Sequence, residues 1–131
     1  DAASVRAAFL TRKRWGGGMR QVGILAAACL YALDHHVERL AEDHARARRL
    51  AAGFRSAPGV KVAEPETNIV IAELQDPALD PAGLLAELEK QGVRMVPFGH
   101  RRLRAIVHLD VDEAGVSRAI EVFTTAVGQR A

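Results

Sequence analysis

The sequence predicts an α+β fold, a run of helices followed by a small sheet covered by helices. Three observations predict it. Apolar residues recur at helical spacing through most of residues 2–57; stretches rich in β-branched residues begin only after residue 58; and there they alternate with helical segments in the order β-β-α-β-β-α. With 131 residues, 49% of them hydrophobic and 26% charged, the chain has the length of one domain and is too apolar to be disordered.

Residues 2–14 form the first helix, stopped by Gly16, Gly17 and Gly18. From Met19 the positions Val22, Leu25, Ala26, Cys29 and Leu33 predict a second helix, and its lack of polar residues predicts that it is buried. A third begins near Val37 and carries Leu40, Ala41, Ala47, Leu50, Ala51 and Phe54 opposite a charged face of Glu38, Arg39, Glu42, Asp43, Arg46 and Arg49. "APG" at 57–59 ends it. "VKVA" and "NIVIAEL" read as strands. "DPAGLLAELEKQGV" reads as a helix, with proline in the first turn and Gly92 as its stop. "VRMVPF" and "LRAIVHLDV" read as two more strands around the turn "GHRR". The last helix carries Val116, Ala119, Ile120, Phe123 and Val127, with Asp112 as its N-cap.

Composition removes several classes of function. The formal charge is +2, so the chain is not a polycation, although bases cluster at Arg12–Arg14, Arg46–Arg49 and Arg101–Arg104. A single cysteine, Cys29, excludes an internal disulfide and a cysteine-built metal cage, and its apolar setting predicts a buried, reduced thiol. That apolar run is broken by Asp34 and His35 before it could cross a bilayer, and no signal-peptide order is present. The expectation is an intracellular, cytoplasmic chain without a membrane partner. It starts at Asp1 rather than methionine and reads as a segment of something longer.

The stretch "RKRWGGGMRQ" sets Lys13 and Arg20 on either side of three glycines. One reading is an anion held by freed glycine N–H groups, a helix start and flanking cations. The other is a solvated hinge between helices. Arg104 lies on an apolar strand, where a guanidinium needs an anionic partner or an escape to solvent. His36 and His44, eight residues apart on a helix, would stand ~12 Å from each other, too far to share a metal ion. His108, Asp110 and Asp112 alternate and could face one way as cation ligands, or Asp112 could serve only as a cap. No metal site is expected. A P-loop, a GxGxxG fingerprint and a CxxC pair are absent.

Together "RKRWGGGMRQVGILAAACLYAL", "RLAEDHARARRLA", "TNIV", "GVRMVPFG" and "LRAIVHLDV", in this order, resemble the low-specificity L-threonine aldolases, pyridoxal-phosphate enzymes related to the β-eliminating lyases. The resemblance covers essentially the whole chain. It implies the C-terminal part of an aspartate-aminotransferase-like enzyme of PLP fold type I. Residues 1–57 would be the end of the large cofactor-binding domain with the inter-domain helix, and residues 58–131 the small α+β domain. It implies that Lys13, Gly16, Gly17, Gly18 and Arg20 bind the phosphate of pyridoxal 5'-phosphate, partly from a neighbouring subunit. Arg104 would bind the carboxylate of the amino-acid substrate. Threonine or allo-threonine would yield glycine and acetaldehyde in a homo-oligomer, dimer or tetramer.

The family's Schiff-base lysine should precede the glycine motif by some tens of residues, and Lys13, Lys61 and Lys90 do not stand in that context. The segment is therefore expected to hold no catalytic residue, to need an N-terminal cofactor-binding portion, and to be inactive alone. Val107 stands where the family has threonine. The alternatives are a noncatalytic anion- or nucleic-acid-binding module, disfavoured by few aromatic residues and low net charge, or a truncated partner subunit.

Overall fold

A computed structural model describes residues 1–130. Nine elements follow in order: α1 (Ala2–Arg14), α2 (Gly23–His35), α3 (Leu40–Arg55), β1 (Val60–Val62), β2 (Ile69–Leu74), α4 (Pro81–Lys90), β3 (Val96–Pro97), β4 (Arg102–Ile106) and α5 (Glu113–Gly128). The chain divides into two compact units, Asp1–Glu38 and Arg39 onward. The fold is α+β, as expected.

In the first unit Asp1 caps α1 by accepting the Ser4 N–H at 2.8 Å. Helix α2 starts at Gly23 rather than Met19, with Val22 as an N-cap that offers no side-chain acceptor. Its residues are not buried: Ile24, Leu25, Leu30, Tyr31 and Leu33 are exposed, and so is the Cys29 thiol. The exposure of the helix and that of Cys29 have one cause. A helix apolar on every side buries itself only where it has neighbours on every side.

In the second unit the strands form one antiparallel sheet in the order β1-β2-β4-β3. The period of two sends Val70, Ala72 and Leu74 of β2, with Leu103 and Ala105 of β4, toward the helices. Against them pack Ala47, Leu50, Ala51 and Phe54 of α3, Leu84 and Leu88 of α4, and Val116, Val122, Phe123, Ala126 and Val127 of α5. Phe54 and Phe123 stack with centroids 3.9 Å apart. Asp80 and Asp112 cap α4 and α5 by accepting backbone N–H groups of Gly83 and Gly115 at 2.8 and 2.7 Å.

The sequence places Asp43 on the charged face of α3, yet it is buried, because Arg39 one turn earlier grips both its carboxylate oxygens at 2.7 and 3.0 Å. The last strand is also shorter than its sequence suggests and ends at Ile106.

Candidate functional site

The triple glycine is first of all the end of a helix. The Gly17 N–H donates to the Arg12 carbonyl at 2.9 Å and the Gly16 N–H to the Lys13 carbonyl at 3.3 Å, while Gly16 takes a φ of +82°. These bonds, five and three residues back around a left-handed residue, are a Schellman cap. Helix α4 ends the same way, Val93 bonding to Leu88 and Gly92 to Glu89. The position after the left-handed glycine is thus valine in α4 and glycine in α1. The difference is local: a Cβ on Gly17 would stand 2.7 Å from Arg12 Cγ.

This corrects the expectation that the glycines free their N–H groups at a helix start. Two of the three satisfy the last carbonyls of α1, and α2 begins five residues beyond Gly18. Of the three glycines, what remains for an anion is the Gly18 N–H, which has no protein acceptor among the described residues, with Lys13 beside it. The Lys13 side chain lies across Gly18, its Nζ 3.1 Å from where a Cβ would be. Neither Lys13 nor Arg20 forms an ion pair among the described residues. A Lys13 cation lying across an open N–H, with Arg20 two residues further along the chain and also without an ion pair among the described residues, fits a phosphate.

Arg104 belongs to the second unit, on the sheet face turned away from the helices. Two cross-strand rows on that face differ. In one, Lys61 pairs with Glu73 and Glu73 with Arg102, so charges alternate across three strands. In the other, Arg104 lies between Ile71 and Val96. Arg102 therefore has an acidic neighbour and Arg104 has none. Arg104 Nε is buried without a hydrogen-bond acceptor. Its guanidinium carbon stands 5.7 Å from the centre of the Phe98 ring, and that of Arg102 5.4 Å. The sequence reading missed Phe98; the hairpin spacing that sets residue 98 opposite residue 102 was the available signal.

The other basic clusters are largely occupied. Arg101 donates to the carbonyls of Leu74, Asp76 and Leu79. Arg46 and Arg49 both pair with Glu113, and Arg46 also with Glu42. Since β4 ends at Ile106, His108, Asp110 and Asp112 do not share a strand face: Val111 bonds back to the His108 carbonyl, and Asp112 caps α5. Among the described residues no three His, Cys, Asp or Glu side chains gather as metal ligands, and no helix is long and apolar enough to cross a membrane.

The family model described as Beta-eliminating lyase matches residues 1–77, the glycine turn and the first two strands included. The chain belongs to the beta-eliminating lyase family. Within it, the chain is 37% identical over 123 residues to "Probable low-specificity L-threonine aldolase 2" of Arabidopsis thaliana, covering 88% of this chain and 35% of that protein. It is 36% identical over 107 residues to the low specificity L-threonine aldolase of Escherichia coli, covering 82% of this chain and 31% of the relative. The chain thus spans about a third of the length of the curated relatives it matches. Among solved structures it is similar to the cystine C-S lyase C-DES, with a TM-score of 0.63 and 20% identity over 78% of this chain and 28% of that one. The aspartate aminotransferase of Rhizobium meliloti gives 0.58 and 20%, over 72% and 27%. These likenesses show that this beta-eliminating lyase segment has the fold of part of a PLP fold type I enzyme.

Proposed function

We propose that this chain is the C-terminal portion of a pyridoxal-phosphate-dependent aldolase that cleaves L-threonine or L-allo-threonine to glycine and acetaldehyde. The observation that carries the proposal is Arg104: a guanidinium between two apolar cross-strand neighbours, with Nε buried and without an acceptor. Identity of 36–37% to threonine aldolases over most of the chain supplies the chemical context.

Lys13, Arg20 and the Gly18 N–H would hold the phosphate of the cofactor. Gly16 and Gly17 shape the turn that presents them, because their N–H groups close α1. Arg104 would bind the amino-acid carboxylate through the planar fork of its N–H donors. A carboxylate fixed at two points fixes rotation about its bond to Cα, and so decides which bond to Cα is set for cleavage. Pyridoxal phosphate, when bound, supplies the electron sink for breaking Cα–Cβ. Arg104 orients; it moves no proton and forms no covalent bond.

None of Lys13, Lys61 and Lys90 is assigned the covalent link to the cofactor: they sit at the end of α1, on β1 and at the end of α4. That lysine belongs to an N-terminal cofactor-binding portion, without which the segment is inactive. We assign residues 1–57 to the end of the large domain with the inter-domain helix α3, and 58–131 to the small domain. The exposed apolar side chains of α2 support assembly into a homo-oligomer in an intracellular, cytoplasmic enzyme. The test is cleavage of L-threonine by the full-length protein that carries this segment, with glycine and acetaldehyde measured together. Release of the two in equal amounts is expected, and their absence from a cofactor-loaded preparation overturns the assignment.

A further inference from the structure

We propose that Phe98 is a positioning residue that aims the Arg104 guanidinium at the carboxylate of the amino-acid substrate. This rests on the reading of Arg104 given above. An arginine that must receive a ligand carboxylate faces a conflict. Left alone, its long side chain samples many rotamers; tied to a protein carboxylate, its donors are already taken. An aromatic face resolves the conflict, because it attracts the cation through its π cloud and uses up none of its N–H donors.

The structure has this arrangement. The Phe98 ring lies within 5.7 Å of the Arg104 guanidinium carbon, and no protein oxygen accepts from Nε. The ring is held from its backbone: the Phe98 N–H donates to the Arg102 carbonyl at 2.8 Å, just after β3 pairs with β4. The hairpin is closed by Arg101, which takes a left-handed φ of 54° and whose side chain bonds to the carbonyls of Leu74, Asp76 and Leu79. Phe98 is also 41% exposed, so filling the core is not its role.

The experiment uses the full-length, cofactor-loaded enzyme with Phe98→Leu, Phe98→Tyr and Arg104→Gln. It reads KM and kcat for L-threonine, the Kd for glycine by calorimetry, and the melting temperature. Phe98→Leu is expected to raise KM and the glycine Kd by about threefold to tenfold, with kcat held within about twofold, and Phe98→Tyr to restore both constants. Melting temperatures of the Phe98 variants should match the parent. Unchanged KM and Kd in Phe98→Leu, alongside a large loss of affinity in Arg104→Gln, would overturn the positioning role and leave the reading of Arg104 intact. A lowered melting temperature with no rescue by tyrosine would also overturn it, as a structural role. Unchanged affinity in Arg104→Gln would overturn the reading of Arg104 itself, and the proposal with it.

Discussion

The Lys13 side chain crosses the backbone of Gly18 so closely that a Cβ there would stand 2.7 Å from Lys13 Cδ and 3.1 Å from Nζ. The pair links a backbone donor to a cation in one local structure, and the cap made by Gly16 and Gly17 sets the turn that brings them together. Glycine at 18 leaves room for the lysine that lies over it.

Gly18→Ala should push the Lys13 ammonium away from the open N–H. In the full-length enzyme the expected result is cofactor affinity weakened by about tenfold, as for loss of one charge-assisted contact, with α1 intact. Cofactor titration followed by absorbance, with circular dichroism for the helix, checks this.

Gly53 lies where α3 meets α5, and a Cβ there would fall 2.5–2.7 Å from three carbons of Ile120. Gly53→Ala should cost about 1–3 kcal/mol by overpacking. A smaller partner should relieve it, so Gly53→Ala with Ile120→Val is expected to recover part of the loss in chemical denaturation.

Arg101→Met should break three hydrogen bonds to carbonyls around residues 74–79 while keeping an apolar stem of similar length. The expected loss is about 2–3 kcal/mol, since the acceptors are part-buried and the donor is charged. Arg102→Met, on the solvent-facing charge row, should change stability by less than about 1 kcal/mol. Paired denaturation curves separate the two.

Much of this was legible in the sequence, and the exceptions have physical causes. Aspartates at helix starts mark α4 and α5 because a carboxylate is the natural acceptor for the first free N–H groups. The start of α2 was not legible: between Gly18 and Gly23 no Ser, Thr, Asp or Asn is present to mark it. The end of β4 was hidden as well. Val107 and Leu109 are good strand residues, but β2 begins at Ile69, and Asn68 makes the last bonds to Val107 before the chain turns. The candidate site was half legible. Arg104 stood out as a guanidinium on an apolar strand, whereas Phe98 was marked only by the hairpin spacing that sets it opposite residue 102, and the distance from its ring to that guanidinium needed the fold. The fate of the glycine N–H groups depended on whether a cap or a helix start claimed them, and sequence alone allows either.

The most direct measurement is kcat/KM for L-threonine of the full-length, cofactor-loaded protein, compared with its Arg104→Gln variant. Cleavage to glycine and acetaldehyde by the parent is expected, with a loss of about a hundredfold or more in the variant, because the proposed charge-assisted pair between Arg104 and the substrate carboxylate is removed. A variant as active as the parent would contradict that pairing.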